Sequence, residues 1–280
     1  MKIAFSTLAC PDMPLDRVVS LASRCGYLGV DMRSFIDEGE RMANDPMSLD
    51  PAQVDSIFDD AGIIPLCLST SVRYDAPIDP PVIGRVWVNE EAGVPETKSF
   101  VDMADRAGVK FVRVFGYQLP AAEPRTWSMR RVVERLTLAA QTCRNTDVRL
   151  LVENAGSFSQ AEALGELIEQ VNSQWLGASY NIQAAVNAGE CPLHAVETLG
   201  DTLKVVRVMD ADDDGNPVEL GKGVYPLEKF FTKLRDIGFD GWVVYEYPKR
   251  WYPELGGECE RVLQDGADLM YRWMAQPAHA

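Results

Sequence analysis

A chain of 280 residues, 46% of them hydrophobic, is long enough for one large α/β barrel or for two ordinary domains. Its formal charge of −15, from 27 basic and 42 acidic residues, repels phosphate backbones and anionic lipid, which argues against nucleic-acid and membrane partners. Only two histidines are present, His194 and His279, so a Ser–His or Cys–His triad, an H-E-x-x-H zinc helix and a three-histidine metal site are all hard to build.

The opening residues Met1-Lys2-Ile3-Ala4-Phe5 enter a strand pattern directly, without the apolar stretch and cleavage site of a signal peptide. From there short apolar or β-branched runs alternate with longer amphipathic ones to the end of the chain. Strands are predicted over 3–8, 28–33, 63–69, 110–115, 148–153, 175–181, 203–209 and 242–246. Helices are predicted over 14–25, 51–61, 95–107, 127–144, 159–172, 192–200, 226–237 and 257–274. The strand runs are nearly continuous in apolar character, as expected when both faces are covered. Pro14, Pro51, Pro95, Pro192 and Pro226 stand where a first helical turn needs no N–H. Gly26, Gly62, Gly108 and Gly238 each follow a helical run, where a left-handed cap is wanted.

Eight β-then-α units predict a single (β/α)₈ TIM barrel over residues 1–280, with 275–280 as a frayed tail. A doubly wound nucleotide-binding sheet is the alternative, but no G-x-G-x-x-G follows the first strand. Two long βα loops, about 34–50 and about 70–94, would lie on the face where barrel active sites sit, as lids or pocket walls or as flexible insertions. The six cysteines, Cys10, Cys25, Cys67, Cys143, Cys191 and Cys259, show no C-x-x-C pair and read as free thiols of a cytoplasmic protein. Cys10 is read as a packing or pocket-wall residue, because no histidine is placed to activate it as a nucleophile.

The last four strands end in Glu153, Asn181, Arg207 and Glu246, which occupy half of the barrel rim and can converge on its mouth. Two carboxylates facing one carbon suit the removal and delivery of a proton, so Glu153 and Glu246 are the candidate catalytic pair. Asn154, Asp210, Lys249 and Arg250 follow these strands and can hydrogen-bond a polyhydroxy or carboxylate ligand. Asn181 either caps a turn or orients the ligand. Arg207 either clamps the two glutamates as an ion pair or binds an anionic substrate. Trp251-Tyr252 either stacks on a sugar face or packs at the rim. Asp212, Asp213 and Asp214 read as a solvated turn, since neither their spacing nor the following residues make an EF-hand loop.

With these residues the chain resembles the xylose-isomerase-like TIM-barrel family, the sugar phosphate isomerase/epimerase group. The resemblance runs through Phe5-Ser6-Thr7-Leu8, Gly29-Val30-Asp31-Met32-Arg33, Val112-Arg113-Val114-Phe115-Gly116, Val152-Glu153-Asn154, Leu220 to Leu227 and Gly238 to Trp242. It implies a divalent metal held by Glu at 153, Asp at 181, His at 207 and Glu at 246, with substrate-contacting histidines at 155 and 184. It also admits a homodimer paired through the outer helices. This chain departs at Ala155, Asn181, Ala184 and Arg207. Two carboxylates with one guanidinium keep the net charge of three carboxylates with a divalent ion. Asn is the weaker ligand, and a guanidinium repels a cation. The expected site is therefore metal-free, with no cofactor and a small-molecule substrate, and Mn²⁺ or Mg²⁺ is disfavoured.

Three functions compete. The first is a metal-independent isomerase, epimerase or lyase acting on a small hydroxy-carbonyl compound, sugar-like or a keto acid. The second is an inactive barrel kept for ligand binding or assembly. The third, ranked last, is a metal enzyme with ligands relocated to Glu153, Asp210 and Glu246.

Overall fold

The computed structural model describes residues 1–77 and 91–275. Eight parallel strands, β1 (Lys2–Ser6), β2 (Gly29–Arg33), β3 (Ile64–Arg73), β4 (Phe111–Phe115), β5 (Arg149–Glu153), β6 (Leu176–Asn181), β7 (Leu203–Val208) and β8 (Trp242–Tyr245), pair in chain order. The barrel closes where β8 pairs with β1, with Ile3 opposite Val243 and Phe5 opposite Tyr245. The strands are short and almost wholly buried because helices cover the outside and side chains fill the inside. The outer core gathers the outward strand residues, such as Ile3, Val206 and Val243, against the apolar stripes of the helices.

Nine helices lie among the described residues: α1 (Leu15–Arg24), α2 (Pro51–Ala61), α3 (Val94–Arg106), α4 (Arg125–Gln141), α5 (Ala161–Val171), α6 (Ile182–Asn187), α7 (Pro192–Leu199), α8 (Leu227–Asp236) and α9 (Cys259–Ala275). Proline occupies the first turn of α2, α3 and α7 and is the N-cap of α1 and α8. Gly62 and Gly238 have φ of 65° and 69°, the left-handed turn that returns the chain from helix to strand. Short α6 was not expected. Asn181 makes it, its side-chain oxygen accepting the N–H groups of Gln183 and Ala184. Strand β3 runs four residues past the expected end, because Thr70 bridges an irregularity: its hydroxyl donates to the Arg113 carbonyl and accepts the Val72 N–H.

The loop over 34–50 is folded wall. Asp45 accepts the N–H groups of Phe35 and Met47, and the Asn44 side chain donates to the carbonyls of Cys10 and Met13. Residues 78–90 of the second long loop lie outside the described residues, and with them its reading as a lid. So does the expected tail beyond Ala275.

The six-free-thiol expectation is corrected. Cys10 and Cys259 are joined as a disulfide, their Cα atoms 6.0 Å apart, while Cys25, Cys67, Cys143 and Cys191 are free. Barrel closure brings together residues 249 apart in sequence: β1 leads directly to Cys10, and α9 begins at Cys259. Among the described residues no helix is long and apolar enough to cross a membrane.

Candidate active site

Side chains two apart on a strand face the same way. That rule stacks the barrel interior in layers. Cys67, Leu151, Val205 and Val244 belong to an apolar plug inside the barrel, with Ala4 and Trp242. Two residues further along the same strands stand Ser69, Glu153, Arg207 and Glu246, so the polar layer rests directly on the plug.

At the centre is Arg207, 1% exposed. Its Nη1 and Nη2 donate to the two carboxylate oxygens of Asp31 at 2.8 and 2.9 Å, a bidentate fork across the barrel. Its Nε lies 2.5 Å from Glu153 Oε2. Two serines complete the cage. Ser69 donates to Asp31 and accepts from Arg207, both at 2.6 Å. Ser179 donates to Glu153 at 2.9 Å and accepts from Arg207 at 3.3 Å. Burial alone would discharge both Asp31 and Arg207, but the pairing wins. Asp31 is held below its ordinary range chiefly by Arg207, and Arg207 is held well above its own by Asp31 and then Glu153.

Glu153 carries a second cation. Arg113 on β4 donates from Nη1 to Glu153 Oε1 at 2.9 Å. With Arg207 on one oxygen and Arg113 on the other, Glu153 is 3% exposed and fully engaged. Glu246, just past the end of β8, is different. It is half-buried, and its recorded side-chain partner is the Asn181 amide, 3.3 Å from Oε2. Burial raises its pKa first of all. Arg207 and Arg113 pull it down and Glu153 and Asp31 push it up, and the result is a carboxyl that protonates more readily than an ordinary glutamate.

Of the residues singled out in the sequence, Glu153, Arg207, Asn181 and Glu246 do converge. Their pairings differ from those expected. Arg207 does not clamp Glu246: it clamps Asp31 and Glu153, and Asp31, Ser69, Ser179 and Glu153 take its donors. Asn181 caps α6 with its oxygen, as one of its alternatives has it, and donates from its nitrogen to Glu246. Asn154 is a brace, donating to the carbonyls of Ser159 and Asn181 and accepting the Asn181 N–H. Asp210 organises backbone. Its carboxylate collects the N–H groups of Ala211, Gly221, Gly223 and Tyr225 and shapes the loop that follows. Lys249 donates to the Gly257 carbonyl, and Arg250 to that of Glu40. Trp251 is half exposed and meets the Phe35 ring edge-on. Sequence reasoning missed Asp31, Arg33, Ser69, Arg113 and Ser179; all but Arg33, which ends β2, sit within strands rather than at their ends.

A family model for the xylose isomerase-like TIM barrel matches residues 19–273. The chain belongs to this family. Among solved structures it is similar to the IolI protein with a binding zinc atom, at TM-score 0.79 and 17% identity, over 98% of each chain. It is also similar to D-psicose 3-epimerase from Clostridium cellulolyticum with D-tagatose, at TM-score 0.76 and 13% identity, over 98% of this chain and 99% of that one. L-ribulose 3-epimerase matches at TM-score 0.77 and 14% identity, over 98% and 94%. No curated protein sequence matches significantly. At these identities the structures share the fold.

The metal implied by the family does not fit the residues present. Of the four positions that would hold it, Glu153 has both oxygens bound to guanidiniums, Asn181 has its oxygen bound to two backbone N–H groups, and Arg207 is a fixed cation. Glu246 alone retains an available carboxylate. Among the described residues no three His, Cys, Asp or Glu side chains are grouped to hold an ion.

Proposed function

We propose that the protein is an acid–base enzyme of the isomerase, epimerase or lyase type, acting without a divalent metal on a small hydroxy-carbonyl compound, with Glu246 moving the proton. The observation that carries this reading is the contrast between the site's carboxylates. Asp31 and Glu153 are consumed by guanidiniums, while Glu246 is half-buried, lacks an ion pair among the described residues, and has a raised pKa. A raised pKa brings a carboxylate nearer the strength that a general base needs.

In the proposed step the Glu246 carboxylate takes the proton from a carbon next to the substrate carbonyl. The C–H electrons move to the carbonyl oxygen as an enolate, which guanidinium N–H groups at the mouth stabilise. Moving the adjacent hydroxyl proton to the former carbonyl oxygen and returning the carbon proton from Glu246 to the neighbouring carbon gives an isomerase, while departure of a β-hydroxyl as water with the proton carried by Glu246 gives a lyase. Epimerisation also needs an acid on the opposite face. Glu153, expected as that partner, is locked between two arginines, so isomerisation and elimination are favoured over a two-base epimerisation. Glu153 then serves to position Arg113 and Arg207 and to raise the proton affinity of Glu246.

The proposed compartment is the cytoplasm, where a Cys10–Cys259 pair would form only transiently. The test is solvent-deuterium exchange into hydroxy-ketones and keto acids by NMR, on protein shown metal-free by elemental analysis. Exchange in the wild type and its loss in Glu246→Gln are expected. Exchange that appears only with added Mn²⁺ or Zn²⁺ overturns the metal-free reading. Ligand-induced stabilisation without exchange in any compound favours the second reading, a binding protein, which the locked state of Glu153 also supports.

A further inference from the structure

Arg33 is a buried charge, 8% exposed, with no ion-pair partner among the described residues. Its recorded donors go to uncharged oxygens, the Ser69 carbonyl at 2.5 Å and the Ser71 hydroxyl. Arg113, 7% exposed, spends one nitrogen on Glu153, and its Nε has no partner among the described residues. The two arginines are level with each other, since Arg33 on β2 and Arg113 on β4 both stand opposite Ser69 on β3. Each lies over the ring two residues further on, Arg33 over Phe35 and Arg113 over Phe115, both with the guanidinium carbon 4.4 Å from the ring centre. The rings hold the two forks in place.

We propose that Arg33 and Arg113 form a carboxylate subsite, so that the substrate is an acidic hydroxy-carbonyl compound, a sugar acid or keto acid, rather than a neutral sugar. This inference rests on the acid–base reading above. The ligand carboxylate lies between the two guanidiniums, with its reactive carbon toward Glu246.

Three observations converge on this class. First, taking a cation out of water is costly unless an anion meets it, and Glu246 and Asp31 act on Arg33 only through space, without an ion pair to it among the described residues. Second, burial and then the like charge of Arg113 lower the pKa of Arg33 to about 9, a strain that a bound anion relieves. Third, the buried carboxylates of the layer are engaged by other cations, Asp31 by Arg207 and Glu153 by Arg113 and Arg207. A planar carboxylate suits a guanidinium fork, while a phosphate dianion adds a second charge with no further arginine described at the layer.

The test is isothermal titration with matched pairs: D-glucuronate against D-glucose, 2-keto-D-gluconate against D-fructose, and fructose 6-phosphate as the phosphate arm. The acid of at least one pair should bind about tenfold or more tightly than its neutral partner. Arg33→Gln should lose that preference, and Arg33→Lys should recover part of it. Equal binding of acid and neutral compounds, no measurable binding of either acid, tighter binding of the phosphate ester, or a preference that survives in Arg33→Gln would overturn the subsite. If Arg33→Gln does not fold, the wild-type comparison decides. Binding and exchange separate the two readings. Acid binding through Arg33 without deuterium exchange leaves the subsite standing and the enzyme reading failed. Exchange into neutral sugars with no acid preference does the reverse.

Discussion

Arg207 grips both oxygens of Asp31 across the barrel interior, joining β7 to β2 over 176 residues of sequence. Breaking a buried pair strands the surviving charge, at a cost of about 3–5 kcal/mol, whereas replacing both members with apolar groups of similar volume often costs little. Asp31→Asn should therefore destabilise the protein by about that amount in urea titrations. The double variant Asp31→Leu/Arg207→Met should be more stable than either single change. A double variant that loses the sum of the two single losses would mean that the pair is not coupled. Because the folded pKa of Asp31 is lowered, its contribution is present above its ordinary value of 3.8 and is lost as pH falls towards the folded value.

Glu246 and Glu153 should answer differently to the same chemical change. Glu246→Gln removes the proposed proton carrier and should lower turnover by about 10²–10⁴-fold with the fold intact. Glu153→Gln takes the counter-charge from Arg113 and Arg207 and should show first as lost stability, on the order of 2–4 kcal/mol. Thermal melts beside initial rates read both. A stable, inactive Glu153→Gln would restore the two-carboxylate shuttle.

The pH dependence follows from the raised pKa of Glu246. As the base, it should set an acidic limb of kcat/KM above the ordinary glutamate value of 4.5, and Glu153→Gln should move that limb down by removing one repelling charge. A carboxyl with a raised folded pKa favours the folded state when protonated, and that contribution is lost as pH rises through the folded value. Glu246→Gln should accordingly be more stable than wild type near neutrality, with the gap closing below about pH 4.5. A gap independent of pH would contradict the shift.

Asp210 should prove a loop organiser. Losing acceptors for the N–H groups of Gly221, Gly223 and Tyr225 should make Asp210→Asn faster in hydrogen exchange over 219–225, with about 1–3 kcal/mol of stability lost. Unchanged exchange there, with a raised KM, would return Asp210 to the substrate.

The barrel was legible because its punctuation is local. Apolar runs, prolines at first turns and glycines at Gly62 and Gly238 mark each unit without reference to its neighbours. Half of the site was legible for the same reason, since Glu153 and Asn181 each close a strand, Arg207 is one residue short of a strand end and Glu246 follows one directly. The other half was not. Asp31, Arg33 and Arg113 sit within strands, and their function depends on partners across the barrel that no local pattern reveals. A signal was present all the same: Asp31 and Arg33 share one face of a strand that is otherwise apolar, and Arg113 is the sole charge in Phe111-Val112-Arg113-Val114-Phe115. Charges there must point into the mouth and must be matched. The Cys10–Cys259 pairing was hidden likewise, because only closure of the ring brings the two together.

The Arg207–Asp31 bridge also resists change at a single position. A lone Arg207→His exchange, which puts back the residue that the family resemblance expects, would leave Asp31 as an orphaned anion and Glu153 still tethered to Arg113. Building an ion site here would require β2, β4 and β7 to change together. Distant segments of the chain have thus become a single heritable unit, tradeable only as a set.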